Sequence, residues 1–117
     1  MLVNRFEELR IWQDAKSLTV EIYSLIRENK DYGFRDQLQR ASVSIMNNIA
    51  EGFESGSNAM FLRYLHIAKG SCGEVRSMLL LSYELNYISK DKKDILQKAI
   101  YISQGIKKLI DRIKSRG

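Results

Sequence analysis

At 117 residues, 44% hydrophobic and 28% charged, the chain has the size and composition of one soluble globular domain spanning 1–117, not of a disordered polymer. No apolar run reaches the roughly 18 residues of a membrane span, and the opening M-L-V-N-R-F-E-E-L-R carries acids and lacks the apolar core of a secretion signal. The net charge of +5 sits at one end: residues 89–117 hold nine Lys or Arg against three Asp, and the other residues hold ten against eleven acids.

Proline is absent, which favours long uninterrupted helices, and the common residues are helix formers spaced by threes and fours. A first helix is expected from about Arg5 to Asn29, with Phe6, Leu9, Trp12, Ala15, Leu18, Ile22, Leu25 and Ile26 on one stripe. Asn4 followed by Glu7 fits a capping box. The breaker is N-K-D-Y-G, in which Gly33 is free to take a left-handed conformation.

The second helix is expected from about Phe34 to Phe53 on the stripe Leu38, Ala41, Ile45, Ile49. Ser44, Asn48 and Glu51 run along the edge of that stripe and set a hydroxyl, an amide and a carboxylate beside apolar surface. After the loop G-F-E-S-G-S-N, Ser57 or Asn58 is placed to cap a third helix from about Ala59 to Asn86. Its stripe is Leu65, Ala68, Cys72, Val75, Leu79, and Ser71 and Glu74 edge it in the same manner. Polar groups beside a core are costly unless hydrogen-bonded, so the two strips are expected to meet as a network. In the hairpin register Arg40 falls level with Ser71 and Gln37 with Glu74. Glu74 is therefore expected to be held by Arg40 or Gln37. Gly70 and Gly73 interrupt the third helix with small residues that let a neighbouring helix approach closely or mark a local kink.

Ser89 is placed to cap a fourth helix, from about Lys90 to Ser115. Its seam, Ile95, Ala99, Ile102, Ile106, Leu109, Ile113, has heptad-type spacing. Short loops between helices of this length give antiparallel neighbours. The expected fold is all-α: an antiparallel up-down-up-down four-helix bundle.

Catalytic and metal chemistry find little support. His66 is the single histidine and lies between Arg63 and Lys69, with no Glu-x-x-His pair for a di-iron site. One Cys and one His exclude zinc spacing. Cys72 belongs to a core stripe, and a single cysteine fits a reducing, cytoplasmic setting. Glu51 and Glu74 stand at different levels of the hairpin and are better read as network members than as an acid–base pair. No catalytic residue, cofactor or metal is expected. Phe6, Trp12, Phe61 and Tyr64 match core stripes. Tyr83, Tyr87 and Tyr101 fall partly off them, where packing between helices or subunits is the commoner role and base stacking the rarer one. Ile100, Tyr101, Leu80 and Leu81 give more apolar face than one bundle needs, which points to an oligomer.

Three segments carry a resemblance: F-E-E-L-R-I-W-Q-D-A, Q-L-Q-R-A-S-V-S-I-M-N-N-I-A-E-G and F-L-R-Y-L-H-I-A-K-G-S-C-G-E. Their order and spacing over about residues 6–90 resemble the four-helix-bundle family encoded in intervening sequences of bacterial 23S ribosomal RNA genes. The accessory proteins of diversity-generating retroelements look similar. The resemblance implies a homo-oligomeric ring, a pentamer, and a basic surface for nucleic acid, RNA before DNA. The family's motif residues map onto Gln37, Arg40, Ser44, Asn48, Glu51, Gly52, Gly70, Ser71 and Glu74. Gln39 precedes Arg40 where the family often has a second arginine.

The expectation is thus a non-enzymatic, oligomeric nucleic-acid-binding bundle. Its phosphate contacts are Lys90, Lys93, Lys107, Lys108, Arg112, Lys114 and Arg116, with Arg40, Arg63 and Lys69 as lesser candidates. Its structural network is Gln37, Arg40, Ser44, Asn48, Glu51, Ser71 and Glu74. The alternative is an interaction scaffold that recruits a protein partner such as a reverse transcriptase, with no membrane association.

Overall fold

In the computed structural model, which describes residues 3–116, a short 3₁₀ turn at Phe6–Glu8 precedes four α-helices. They are α1 (Arg10–Ile26), α2 (Tyr32–Glu54), α3 (Asn58–Glu84) and α4 (Lys93–Ser115). There is no strand among the described residues. The helices form a rod of 45 × 20 × 20 Å. Met1, Leu2 and Gly117, the outermost residues of the expected 1–117 domain, lie outside the described residues.

The expected apolar stripes meet along the rod axis. Leu18, Ile22, Leu38, Ile45, Ile49, Leu65, Ala68, Cys72, Val75, Leu79, Ile95, Ala99 and Ile106 are fully enclosed. Each large side chain among them contributes about 1.5–3 kcal/mol of transfer free energy. Ile113 is only partly buried, and Ile110 takes the last buried place of the α4 seam in addition to Leu109.

The helix ends depart from the sequence expectations for local reasons. The first helix does not run from Arg5. Leu9 is extended (φ −73°, ψ 126°), which breaks the chain between the 3₁₀ turn and α1. The side chain that closes this N-terminus is Glu8, not Glu7: it accepts from the Asn4 amide at 2.9 Å. Gly33 lies inside α2, because the Asp31 side chain accepts from the Phe34 amide and starts the helix earlier. Positive φ occurs at Gly56 (83°), in the turn between α2 and α3, and at Asn86 (58°), just beyond α3. Ser57 caps α3 by accepting from the Met60 amide at 3.2 Å. Ser89 does not cap α4; its hydroxyl donates to Asp91 within the preceding turn, and Lys92 occupies the cap position without a side-chain bond.

Two glycines seat helices closely. A Cβ at Gly52 would lie 2.8 Å from the Tyr64 Cβ, and one at Gly105 would lie 2.9 Å from the Ile11 Cγ2. Gly70 and Gly73 behave otherwise. α3 continues unbroken through them, and a Cβ at either would meet nothing within 4 Å among the described residues. Neither a close neighbour within the chain nor a break in the helix accounts for them.

Candidate nucleic-acid interface

The two polar strips lie against each other between α2 and α3. The Ser44 and Ser71 hydroxyls are 2.9 Å apart and share a hydrogen bond. Asn48 Nδ2 donates to the Ser44 carbonyl at 2.8 Å and to the Ser44 hydroxyl at 3.0 Å. Seven residues earlier on α2, Gln37 Nε2 donates to Glu74 Oε2 at 3.0 Å. Five of the seven expected network residues are thus joined in two groups. Arg40 and Glu51 are exposed and make no side-chain hydrogen bond or ion pair among the described residues. Ser71 meets Ser44, one turn beyond Arg40, so Gln37 alone holds Glu74. On the opposite side of α2, Thr19 of α1 donates to the Ala15 and Ser42 carbonyls at 2.9 and 3.1 Å.

This strip is a poor place for chemistry. Its charged members are exposed, and water screens them. Glu51 and Glu74 belong to different levels of the hairpin, as the Gln37–Glu74 and Ser44–Ser71 pairs require. Burial pushes the Cys72 thiol up to about 12, against the lowering pull of Lys69 and Arg76, and that favours an inert neutral thiol. His66 is exposed. No cluster of three or more His, Cys, Asp or Glu placed to hold a metal occurs among the described residues.

The cations are arranged differently. Lys90, Lys92, Lys93, Lys98, Lys107, Lys108, Arg112, Lys114 and Arg116 are all exposed. Two of them are engaged. Lys98 Nζ pairs with Glu21 at 2.6 Å and Lys107 Nζ with Asp111 at 2.8 Å. The hydrogen bond from Lys107 holds the Asp111 carboxyl below its ordinary range. The other seven make no ion pair among the described residues. Arg40 and Arg63 are exposed and Lys69 half-buried on α2 and α3, so they do not continue the α4 array as one segment.

The three tyrosines set off the stripes have three fates. Tyr83 is buried, and its hydroxyl donates to the Lys92 carbonyl at 2.7 Å, tying the end of α3 to the start of α4. Burial, then the Asp94 charge, raise its pKa. Tyr87 packs edge-on against Phe34, and its hydroxyl donates to Asp31 at 2.7 Å; that bond raises its pKa. Tyr101 is 62% exposed.

Tyr101 borders a groove of about 410 Å³ between the start of α1 and the second half of α4. Leu9, Ile11, Ile102 and Leu109 provide its apolar lining, and Arg10, Lys108 and Arg112 its cations. A smaller hollow of about 130 Å³ also borders Tyr101 and Arg10 and extends to Lys98. The groove was not evident in the sequence. Arg10 sits in the nearly neutral part of the chain, and the one signal available was Gly105, a small residue beside the α4 seam.

A family model described as 23S rRNA-intervening sequence protein matches residues 7–110. Among solved structures, a protein of unknown function from the S23 ribosomal protein family of Bacteroides thetaiotaomicron is similar. It is 25% identical, with a TM-score of 0.80 over 86% of this chain and 97% of that one. No curated protein matches the chain.

Proposed function

The chain belongs to the 23S rRNA-intervening sequence protein family, and on that footing we propose that it is a non-enzymatic, oligomeric nucleic-acid-binding bundle of the cytoplasm, with RNA as its ligand. The observation that carries this reading is the set of seven exposed cations between Lys90 and Arg116 that form no ion pair among the described residues. Lys90, Lys93, Lys108, Arg112, Lys114 and Arg116 contact phosphates, Lys107 does so after parting from Asp111, and Arg40, Arg63 and Lys69 add weaker contacts. Such binding follows the phosphate chain, not base sequence, and weakens steeply with salt.

The bundle is antiparallel, up-down-up-down. Cross-helix pairs support this: Gln37 with Glu74 and Ser44 with Ser71 between α2 and α3, and Ile11 beside Gly105 and Glu21 with Lys98 between α1 and α4. In that arrangement the polar strip fixes helix register. The subunits form a homo-oligomeric ring, a pentamer. Met60, Ile67, Leu80, Leu81 and Leu85, all exposed along or just beyond α3, support subunit contact on that helix.

The test is anisotropy titration of a labelled RNA at low and moderate salt, with mass in solution measured alongside. Tight binding at low salt that falls linearly in log–log form with salt is the expected result. Absence of binding at low salt, or binding indifferent to salt, refutes the reading.

The same exposed α3 leucines favour a second reading, an interaction scaffold for a protein such as a reverse transcriptase. Specific recovery of a protein partner after nuclease treatment, with no direct RNA binding, would favour it.

A further inference from the structure

We propose that the groove between α1 and α4 is a single-strand site, in which unstacked bases pack on Tyr101 and the adjoining phosphates lie on Lys108 and Arg112, with Arg10 joining them once it parts from Asp14. This rests on the nucleic-acid reading and gives it a place and a strand preference. Tyr101 is the large aromatic ring standing free beside the groove. It borders both hollows and is 62% exposed. Stacking on an aromatic ring needs a base that is out of its duplex, and it tolerates any base because every base has a π-face.

The polar groups of the groove complete the argument. Its two acids are engaged. Glu8 accepts from the Asn4 and Arg5 amides at 2.9 and 3.4 Å, and Asp14 accepts from Arg10 at 3.2 Å. Lys108 and Arg112 make no ion pair among the described residues. Four residues apart on one helix, they are displaced by about 6 Å along the axis, on the same wall of the groove. Lys98, bordering the smaller hollow, is neutralised by Glu21 and adds no free cation there. Gln104 offers the groove both an amide donor and an acceptor for a base edge or a sugar hydroxyl. A two-fold contact of a second copy across the groove would set like cations against each other; a head-to-tail contact of the kind a ring uses is left to the oligomer arm of the experiment.

The experiment uses the full chain and a labelled RNA of about 12 nucleotides, a length within known single-strand sites. It is presented as a lone strand and annealed to its complement. The wild type should favour the lone strand. Tyr101→Ala should weaken single-strand binding about ten-fold or more, Tyr101→Phe should retain it, and neither should alter duplex binding. Photo-crosslinking of the bound strand should map to the peptide carrying Tyr101. Lys90→Ala with Lys93→Ala, remote from the groove, should lower affinity for both forms alike. If the wild type binds RNA in a salt-dependent way but Tyr101→Ala leaves the strand preference unchanged, the groove is not the site and the broader reading stands. If Tyr101→Ala dissociates an oligomer, the groove is a subunit interface and the proposal falls. If the wild type binds no RNA at low salt, both fall together. Circular dichroism of each variant separates loss of binding from loss of fold.

Discussion

Gly52 and Tyr64 touch backbone to side-chain root: a Cβ on Gly52 would lie 2.8 Å from the Tyr64 Cβ and 2.9 Å from Phe61 Cδ1. Neither the Tyr64 Cβ nor the neighbouring Phe61 carbonyl, at 3.4 Å, is the free end of a flexible chain. Gly52→Ala should therefore force α2 and α3 apart near their turn. Overpacking of this kind costs about 1–3 kcal/mol, which outweighs the helix propensity gained. Urea unfolding followed by circular dichroism should show a lower midpoint.

Alanine at Gly70 or Gly73 should act in the opposite direction. With nothing within 4 Å of the new Cβ, each change should stabilise the isolated bundle by about 0.5–1 kcal/mol. The same variants report on assembly. A gain in stability with loss of mass in light scattering would locate a subunit contact at these glycines.

Ser44→Ala leaves the Ser71 hydroxyl without its partner in a half-buried place and should cost about 1 kcal/mol. Asn48 keeps its bond to the Ser44 carbonyl, which limits the damage. Replacing both serines by alanine should cost less than the two single changes together, because no orphaned hydroxyl remains. A double-mutant cycle measures this coupling. The Gln37–Glu74 pair, exposed to water, should couple by only a few tenths of a kcal/mol.

Cys72 should make the fold sensitive to alkali. Its thiol is held at about 12 against an ordinary value of 9.0, so the unfolded chain ionises first. The stability associated with the neutral thiol is complete below about pH 9 and is lost as pH rises from there toward about 12. Within that window the slope reaches at most about 1.4 kcal/mol per pH unit. Tyr83 and Tyr87, also raised, add to the alkaline loss in every variant. Cys72→Ala should therefore fall less steeply than the wild type in urea melts taken across this range.

On the proposed nucleic-acid reading, Lys107 and Lys108 should differ in their share of RNA binding despite being neighbours. Lys108→Ala should reduce the slope of log affinity against log salt by about 0.7 on a single strand, the value for one phosphate contact there. Lys107→Ala should reduce it less, because Asp111 already offsets that charge. Titrations at several salt concentrations distinguish the two.

Much of the bundle was legible as period. The stripes through Ile45, Ile49, Leu65, Val75, Ile95 and Ile106 followed from spacing by threes and fours, because that spacing is what a helix needs to bury one face. The edge positions of Ser44, Ser71, Gln37 and Glu74 were legible for the same reason. The ends were less so. Asp31, the acid within the N-K-D-Y-G breaker, caps α2 and draws Gly33 into the helix, and Glu8 displaces Glu7 through a kink at Leu9 that no propensity announces. Tyr83 was read as off the stripe because its burial depends on the Lys92 carbonyl, a partner from the next element. The groove was hidden for the same physical reason: it is made by residues about ninety positions apart, and one-dimensional periodicity carries no information about such pairs.

That separation has a temporal side. Contacts between α1 and α4 close the longest loop in the chain, and such contacts carry the largest entropic cost before they return any stabilisation. The α2–α3 hairpin, joined across a short turn, has no comparable barrier. The cleft beside Tyr101 is therefore expected to form after the α2–α3 contacts, and it is missing from any chain in which α4 has not yet docked on α1. Such a chain would gain the cleft only once that helix had folded back onto Ile11.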